Sequence, residues 1–112
     1  MDLLLELSLL FDYYGALLTE TQQAICDMYY NQNLSLTEIA EDLSITKQGV
    51  RDALKKSEKL LKKYENALKI KQKNDQISLL IQNIECKLDE NISNDSVKNE
   101  FKEITKQINE LI

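Results

Sequence analysis

Proline, histidine and tryptophan are absent from this 112-residue chain, and glycine occurs only at Gly15 and Gly49. A compact antiparallel β fold turns every few residues and uses Gly or Pro to do so, and two glycines do not supply those turns. An all-α fold follows. The missing histidine removes the commonest general base, metal ligand and near-neutral pH switch. Cys26 and Cys86 lie sixty residues apart with no second Cys or His beside either, so there is no zinc spacing and no CxxC redox pair. Both are expected as small buried apolar groups, and neither metal nor cofactor is expected. The leucine-rich start is interrupted by Asp2, Glu6 and Asp12 and follows no Lys or Arg, which argues against a signal peptide or a membrane span and makes the cytoplasm the default compartment. No Gly-rich phosphate loop or nucleophile–base pair can be assembled, so an enzyme is not expected.

What is present is a core. Leu, Ile, Val and Phe account for 34 residues, well above the fraction typical of disordered chains, at a length that suits one domain or a small domain with an extension. A chain this short buries only about two-thirds of its unfolded surface, so burial against a partner is an attractive source of further stability. The net charge of −5 conceals three blocks. Residues 1–43 hold eight acids and no base, residues 44–73 hold ten bases against three acids, and residues 74–112 hold four bases against eight acids, giving −8, +7 and −4. Such asymmetry points to a polyanion or another charged partner, or to a solvated lysine-rich helix.

Apolar spacing predicts a helix over 3–14 through Leu3, Leu7, Leu10, Phe11 and Tyr14. Thr19 with Gln22 forms a capping-box pattern that opens a second helix to Tyr30, with Ala24, Ile25, Met28 and Tyr29 inward. Ser35 with Glu38 repeats the pattern for a short helix to Leu43. Thr46 then caps a long helix whose seam, Val50, Leu54, Ser57, Leu61, Tyr64 and Leu68, runs in steps of four and three until Lys71. The polar stretch 71–75 is the expected break. Ile77, Ile81, Ile84 and Leu88 continue the spacing, Asn91 to Asp95 interrupts it with Ser93 or Asp95 as a cap, and Val97, Phe101, Ile104, Ile108 and Leu111 form a last seam. This divides the chain into a domain over 1–70 and a C-terminal helical hairpin over 71–112 that serves packing or oligomerisation.

The segment from Leu36 to Leu54 has the pattern of a helix-turn-helix. Ala40 is small where two helices cross closely, Ile39, Leu43, Ile45, Val50 and Leu54 fill the wedge, and Thr46 leaves Lys47, Gln48 and Arg51 on the first exposed turn. In DNA-binding versions that turn enters the major groove. Ser44 stands where the turn often has Gly, and a positive φ costs Ser more than Gly. An αα corner of an ordinary helical protein, or a helix-turn-helix used for protein contact, would share this pattern.

The stretch Leu10-Phe11-Asp12-Tyr13-Tyr14-Gly15-Ala16-Leu17-Leu18-Thr19-Glu20-Thr21-Gln22-Gln23, then Met28-Tyr29-Tyr30, then Leu34 to Glu41, Thr46 to Asp52 and Glu58 to Glu65, resembles the YlxM family of small bacterial helix-turn-helix proteins. The match covers roughly residues 3–68. The resemblance implies a core similar to region four of bacterial sigma factors, and, from the gene neighbourhood of that family, a regulatory role or participation in the signal recognition particle pathway. Where the family usually has Ser-Arg-Gln-Ala-Val-Tyr-Asp, this chain has Thr46-Lys47-Gln48-Gly49-Val50-Arg51-Asp52. Lys47 keeps the charge of that Arg without its bidentate fork.

Two readings follow. As a nucleic-acid-binding regulator of DNA or RNA, the protein would set Lys47, Gln48 and Arg51 at base edges, while Lys55, Lys56, Lys59 and the family-like Ser35 and Thr37 reach phosphates. Asp52 and the acidic first 43 residues oppose a polyanion. As a protein adaptor, it would dock the same basic helix on an acidic surface, signal recognition particle components being partners by resemblance. A homodimer is expected in either case, through Leu61, Tyr64, Leu68, Ile81, Ile84, Leu88, Phe101, Ile104 and Ile108.

Overall fold

The computed structural model describes residues 2–112 and is helical throughout, with α1 (Leu3–Tyr14), α2 (Glu20–Cys26), α3 (Leu36–Leu43), α4 (Lys47–Leu68), α5 (Ile70–Asn91) and α6 (Asp95–Leu111). The chain divides into two compact units, Met1–Ile70 and Lys71–Ile112.

In the first unit the helix starts are written in short polar side chains. The Asp2 carboxylate accepts from the Leu4 amide at 3.0 Å. Thr19 and Gln22, and Ser35 and Glu38, form reciprocal capping boxes in which each pair satisfies two amides that a helix start leaves unpaired. The Thr46 hydroxyl accepts from the Gly49 amide at 3.0 Å and opens α4. Each such cap contributes about 1 kcal/mol.

Between α1 and α2 the chain tightens into a 3₁₀ turn, Gly15–Leu17. Gly15 has an ordinary helical φ of −56°, so its role is space: a Cβ there would lie 2.7 Å from a ring carbon of Phe11, whose ring packs on Tyr30 with centroids 6.0 Å apart. After Cys26 the helix widens into a π turn, Asp27–Asn31. The Asn31 and Gln32 side-chain amides both donate to the Asp27 carboxylate at 2.8 Å, and these two bonds, Asn31 first, hold its pKa below the usual value. Of the expected inner face of α2, Ile25 is buried and Met28 and Tyr29 are half-buried, whereas Ala24 is exposed and Cys26 is buried in its stead.

All three short helices pack on α4, and they do so in two apolar clusters. Leu7, Leu10, Tyr14, Leu18 and Cys26 close around Leu61, and Ile25, Ile39 and Ala40 close around Val50. Leu54 packs against both clusters. Adjacent residues of α2 thus serve different clusters, Ile25 one and Cys26 the other. Cys26 and Ser57 are fully buried, and the Ser57 hydroxyl donates to its own Ala53 carbonyl at 2.8 Å, which satisfies a polar group inside the core. Burial pushes the Cys26 thiol pKa up, partly offset by the neighbouring Ser57 hydroxyl. Cys86, expected to be buried, is exposed: at about 100° per residue it lies on the side of α5 opposite Ile77, Ile81 and Leu88.

Helix α4 ends at Leu68, the last residue of its seam and just before the expected break, and stretch 71–75 is helical. Lys69 adopts the left-handed conformation (φ 55°, ψ 31°) and separates α4 from α5. The buried Tyr14 phenol holds this point: its hydroxyl donates to Glu65 Oε1 at 2.6 Å and accepts from the Ile70 amide at 2.9 Å.

In the second unit α5 and α6 run antiparallel. Lys102 Nζ pairs with Asp89 at 3.1 Å and the Thr105 hydroxyl meets Glu85 at 3.0 Å. Asn94, rather than Ser93 or Asp95, caps α6, accepting from the Ser96 and Val97 amides.

Two outcomes follow for stability. Ser44 sits at φ 56°, ψ 42°, and a left-handed conformation costs an ordinary residue about 1–2 kcal/mol, against about 0.5–1 kcal/mol of extra chain entropy that Gly loses on folding. Ser44→Gly therefore raises the Tm by a few degrees and Ser44→Val lowers it, as a thermal melt followed by circular dichroism will report. Tyr14→Phe removes the phenol hydroxyl that bonds Glu65 and the Ile70 amide, and a urea melt should show a loss of about 1–3 kcal/mol.

Candidate nucleic-acid interface

The turn between α3 and α4 sets the angle at which α4 leaves the domain. With Ser44 left-handed, the Ser44 amide reaches the Glu41 carbonyl at 3.3 Å and the Ile45 amide reaches the Ala40 carbonyl at 3.0 Å, which together form a Schellman closure of α3. Two residues later Thr46 caps α4. The helices are locked across the turn by Ile39, Ala40 and Val50, all buried.

With Val50, Leu54, Ser57 and Leu61 on its inner face, α4 carries Gln48, Asp52 and Lys59 on the opposite side, Lys55 and Arg51 on one flank, Lys56 on the other, and Lys47 at the helix start toward the inner edge. Lys47, Gln48, Arg51, Lys55, Lys56 and Lys59 are all exposed. None of these cations has an ion-pair partner among the described residues; on this helix only Lys62 is paired, with Glu58 at 3.0 Å. The expected base readers and phosphate contacts on α4 are thus all solvent-exposed and run over about three turns, with Lys47 and Lys56 on opposite sides of the helix.

Gln48 differs from the others. Its side-chain amide donates to Asp52 Oδ1 at 2.9 Å, one turn along the helix. Pairing with an adenine edge uses both ends of a carboxamide, so Gln48 must leave Asp52 to read a base. The spacing of four shows this bond in the sequence. Ser35 is also engaged: its hydroxyl oxygen accepts from the Glu38 amide at 3.1 Å as the cap of α3, while Thr37 is exposed in the first turn. Further along α3, Glu38, Glu41 and Asp42 line a shallow acidic depression with Gln32 and Leu34.

The residues expected between copies fall into two groups. Leu61 is 0% exposed and belongs to the core of its own unit, while Tyr64 packs half-buried with its ring 6.3 Å from that of Tyr14. Ile81 and Leu88 are likewise buried within the chain. Leu68, Ile84, Phe101 and Ile104 are roughly half exposed, and Ile108 is half-buried. Thr105, not Phe101 or Ile104, is the buried residue of α6.

Among the described residues no group of His, Cys, Asp and Glu is arranged to hold a metal ion. Among those residues no helix is long and apolar enough to cross a membrane.

A family model described as "Putative helix-turn-helix protein, YlxM / p13 like" matches residues 1–104. A UPF0122 protein of Desulforamulus reducens is 51% identical over 63 residues, 56% of this chain and 54% of the relative, so the alignment spans about half of that protein. A UPF0122 protein of Caldanaerobacter subterraneus is 46% identical over 86 residues, 76% of this chain and 74% of its own. One from Clostridium perfringens is 37% identical over 107 residues, covering 96% of this chain and 94% of its own length. The wedge of α3 and α4, the left-handed turn between them and a match that runs nearly the whole chain agree: this chain belongs to the UPF0122 family of YlxM/p13-like helix-turn-helix proteins.

Proposed function

We propose that the unit formed by residues 1–70 binds nucleic acid as a regulatory module, laying the first turns of α4 in the major groove of a duplex. The observation that carries this reading is the row of exposed cations on α4, Lys47, Arg51, Lys55, Lys56 and Lys59, without an ion-pair partner among the described residues and projecting from a helix whose opposite side is locked into the core. Of the partners that the resemblance implies, nucleic acid is the one this geometry favours.

The roles divide by position. Lys47 and Arg51 lie nearest the helix start, where a recognition helix meets base edges, and Arg51 has the planar fork that matches guanine. Lys55, Lys56 and Lys59 follow one and two turns later, at the level of the flanking phosphates, with Ser35 and Thr37 at the start of α3 as neutral donors. Asp52 sits among the readers and repels phosphate, and by holding Gln48 it keeps one reader folded back. Recognition then rests on Arg51, and on Gln48 once it is released. The acidic face of α3 restricts the duplex to one orientation, because the opposite one would set phosphates against Glu41 and Asp42.

The test is fluorescence anisotropy with a labelled random-sequence duplex over a range of salt concentrations. If Lys55, Lys56 and Lys59 each neutralise one phosphate, log Kd rises with log salt with a slope near 3, at about 0.9 per phosphate. Lys56→Ala lowers that slope by about one, and Asp52→Asn tightens binding severalfold. A flat salt series, or a slope unchanged when Lys55, Lys56 and Lys59 are all replaced by Ala, contradicts the proposal.

A further inference from the structure

The apolar stripe of α1 runs off the end of the core. Leu3 continues the register of Leu7, Leu10 and Tyr14, yet it is 54% exposed where those three are buried, and Leu4 beside it is 45% exposed. These two residues open one wall of a groove of about 460 Å³ whose floor continues through Leu7, Tyr29, Leu36 and Leu54. The groove is thus built by four segments at once: α1, the π turn, the start of α3 and the middle of α4. Tyr30, the neighbour of Tyr29 in that turn, lines it too and is half-buried, with its ring set edge-on to that of Tyr29 at 5.3 Å.

The rim is charged but unequal in what it offers. Both acids there are already used: Asp2 caps α1 through the Leu4 amide, and Glu58 is paired with Lys62 at 3.0 Å. Arg51 and Lys55, one helical turn apart on α4, line the same rim and have no ion-pair partner among the described residues. A trough that lies open to solvent does not enclose the 70–90% of a small ligand's surface that small-molecule sites usually bury. Its apolar floor of leucines and Tyr29 and its two free cations instead match an amphipathic helix, which offers anchors at i, i+3, i+4 and i+7 with carboxylates beside them.

We propose that this groove docks an amphipathic helix of a partner protein, with leucine-type anchors on Leu3, Leu4, Tyr29 and Leu54 and acidic residues on Arg51 and Lys55. The docked helix covers Arg51, so the partner and a duplex exclude one another. That exclusion rests on the nucleic-acid reading of α4, whereas the docking itself does not.

The experiment uses the full chain and a fluorescein-labelled synthetic amphipathic helix with Leu at i, i+3, i+4 and i+7 and Glu at the flanking positions, followed by anisotropy. Saturable binding is expected, weakened at least tenfold by Leu3→Gln with Leu4→Gln and at least tenfold by Arg51→Glu, and unaffected by Lys63→Ala on the far side of the helix. A peptide with Lys in place of Glu should bind at least tenfold more weakly, and unlabelled duplex should displace the acidic one. Thermal melts confirm that the variants remain folded, since Leu3, Leu4 and Arg51 are exposed. No saturable binding up to about 1 mM peptide, equal binding of the acidic and basic peptides, or binding indifferent to Leu3, Leu4 and Arg51 overturns the proposal. Lys56→Ala, which touches nothing in the groove, weakens duplex binding alone, so failure of the nucleic-acid reading is seen separately from failure of the docking.

Discussion

Leu54 touches both apolar clusters of the first unit, and the rest of that unit is arranged around what this makes of α4. One stretch of helix serves as the common wall for α1, α2 and α3. Its first half closes the wedge with α3 through Val50, and its second half closes on α1 through Leu61. Fully burying a side chain such as Leu61 contributes about 1.5–3 kcal/mol, so these few positions supply much of the stability of a small domain. A helix held along a continuous inner face has no freedom to roll, and its outer face is correspondingly fixed in direction. The exposed cations are therefore presented by the core rather than by a mobile arm.

Charge is sorted by the same geometry. Within residues 1–70 the helices that pack against α4 carry acids and no base, and α4 carries most of the bases. Their separation matters more than the net charge of −5. The acidic side of α3 limits where a polyanion can lie, and the neighbouring groove offers apolar surface beside Arg51 and Lys55. A single patch of α4 thus borders two surfaces of different chemistry.

What could be read from the residues alone depended on how far each cause lay along the chain. The starts of α2, α3 and α4 were legible because Thr19, Ser35 and Thr46 act within three residues of themselves. The strain expected at Ser44 is present for the same local reason, as its carbonyl partners are those of the preceding turn. The break at Lys69 was not legible. Lys69 is an ordinary helix former, and the group that marks the break, the Tyr14 hydroxyl, comes from 56 residues before Ile70. The π turn at Asp27–Asn31 was not legible either, because it follows backbone hydrogen bonds rather than hydropathy. Leu61 and Tyr64 fitted a seam between copies as well as a seam within one chain, and only the position of α1 decides between them. Cys86 was legible in principle, since its phase on α5 is opposite to the apolar stripe. The candidate site stood in the same balance: the row from Lys47 to Lys59 is one helix and was visible, whereas the groove needs four segments brought together and was not.

The central claim is that a core-locked α4 presents its outer face to nucleic acid. The most direct measurement is a ¹⁵N-labelled amide spectrum of the full chain titrated with duplex DNA. The account predicts that the shifts concentrate on Lys47, Gln48, Arg51, Asp52, Lys55 and Lys59, with small changes at Val50 and Leu61 behind them. Shifts confined to residues 71–112 or to the acidic face of α3, or none at all at saturating duplex, would contradict it.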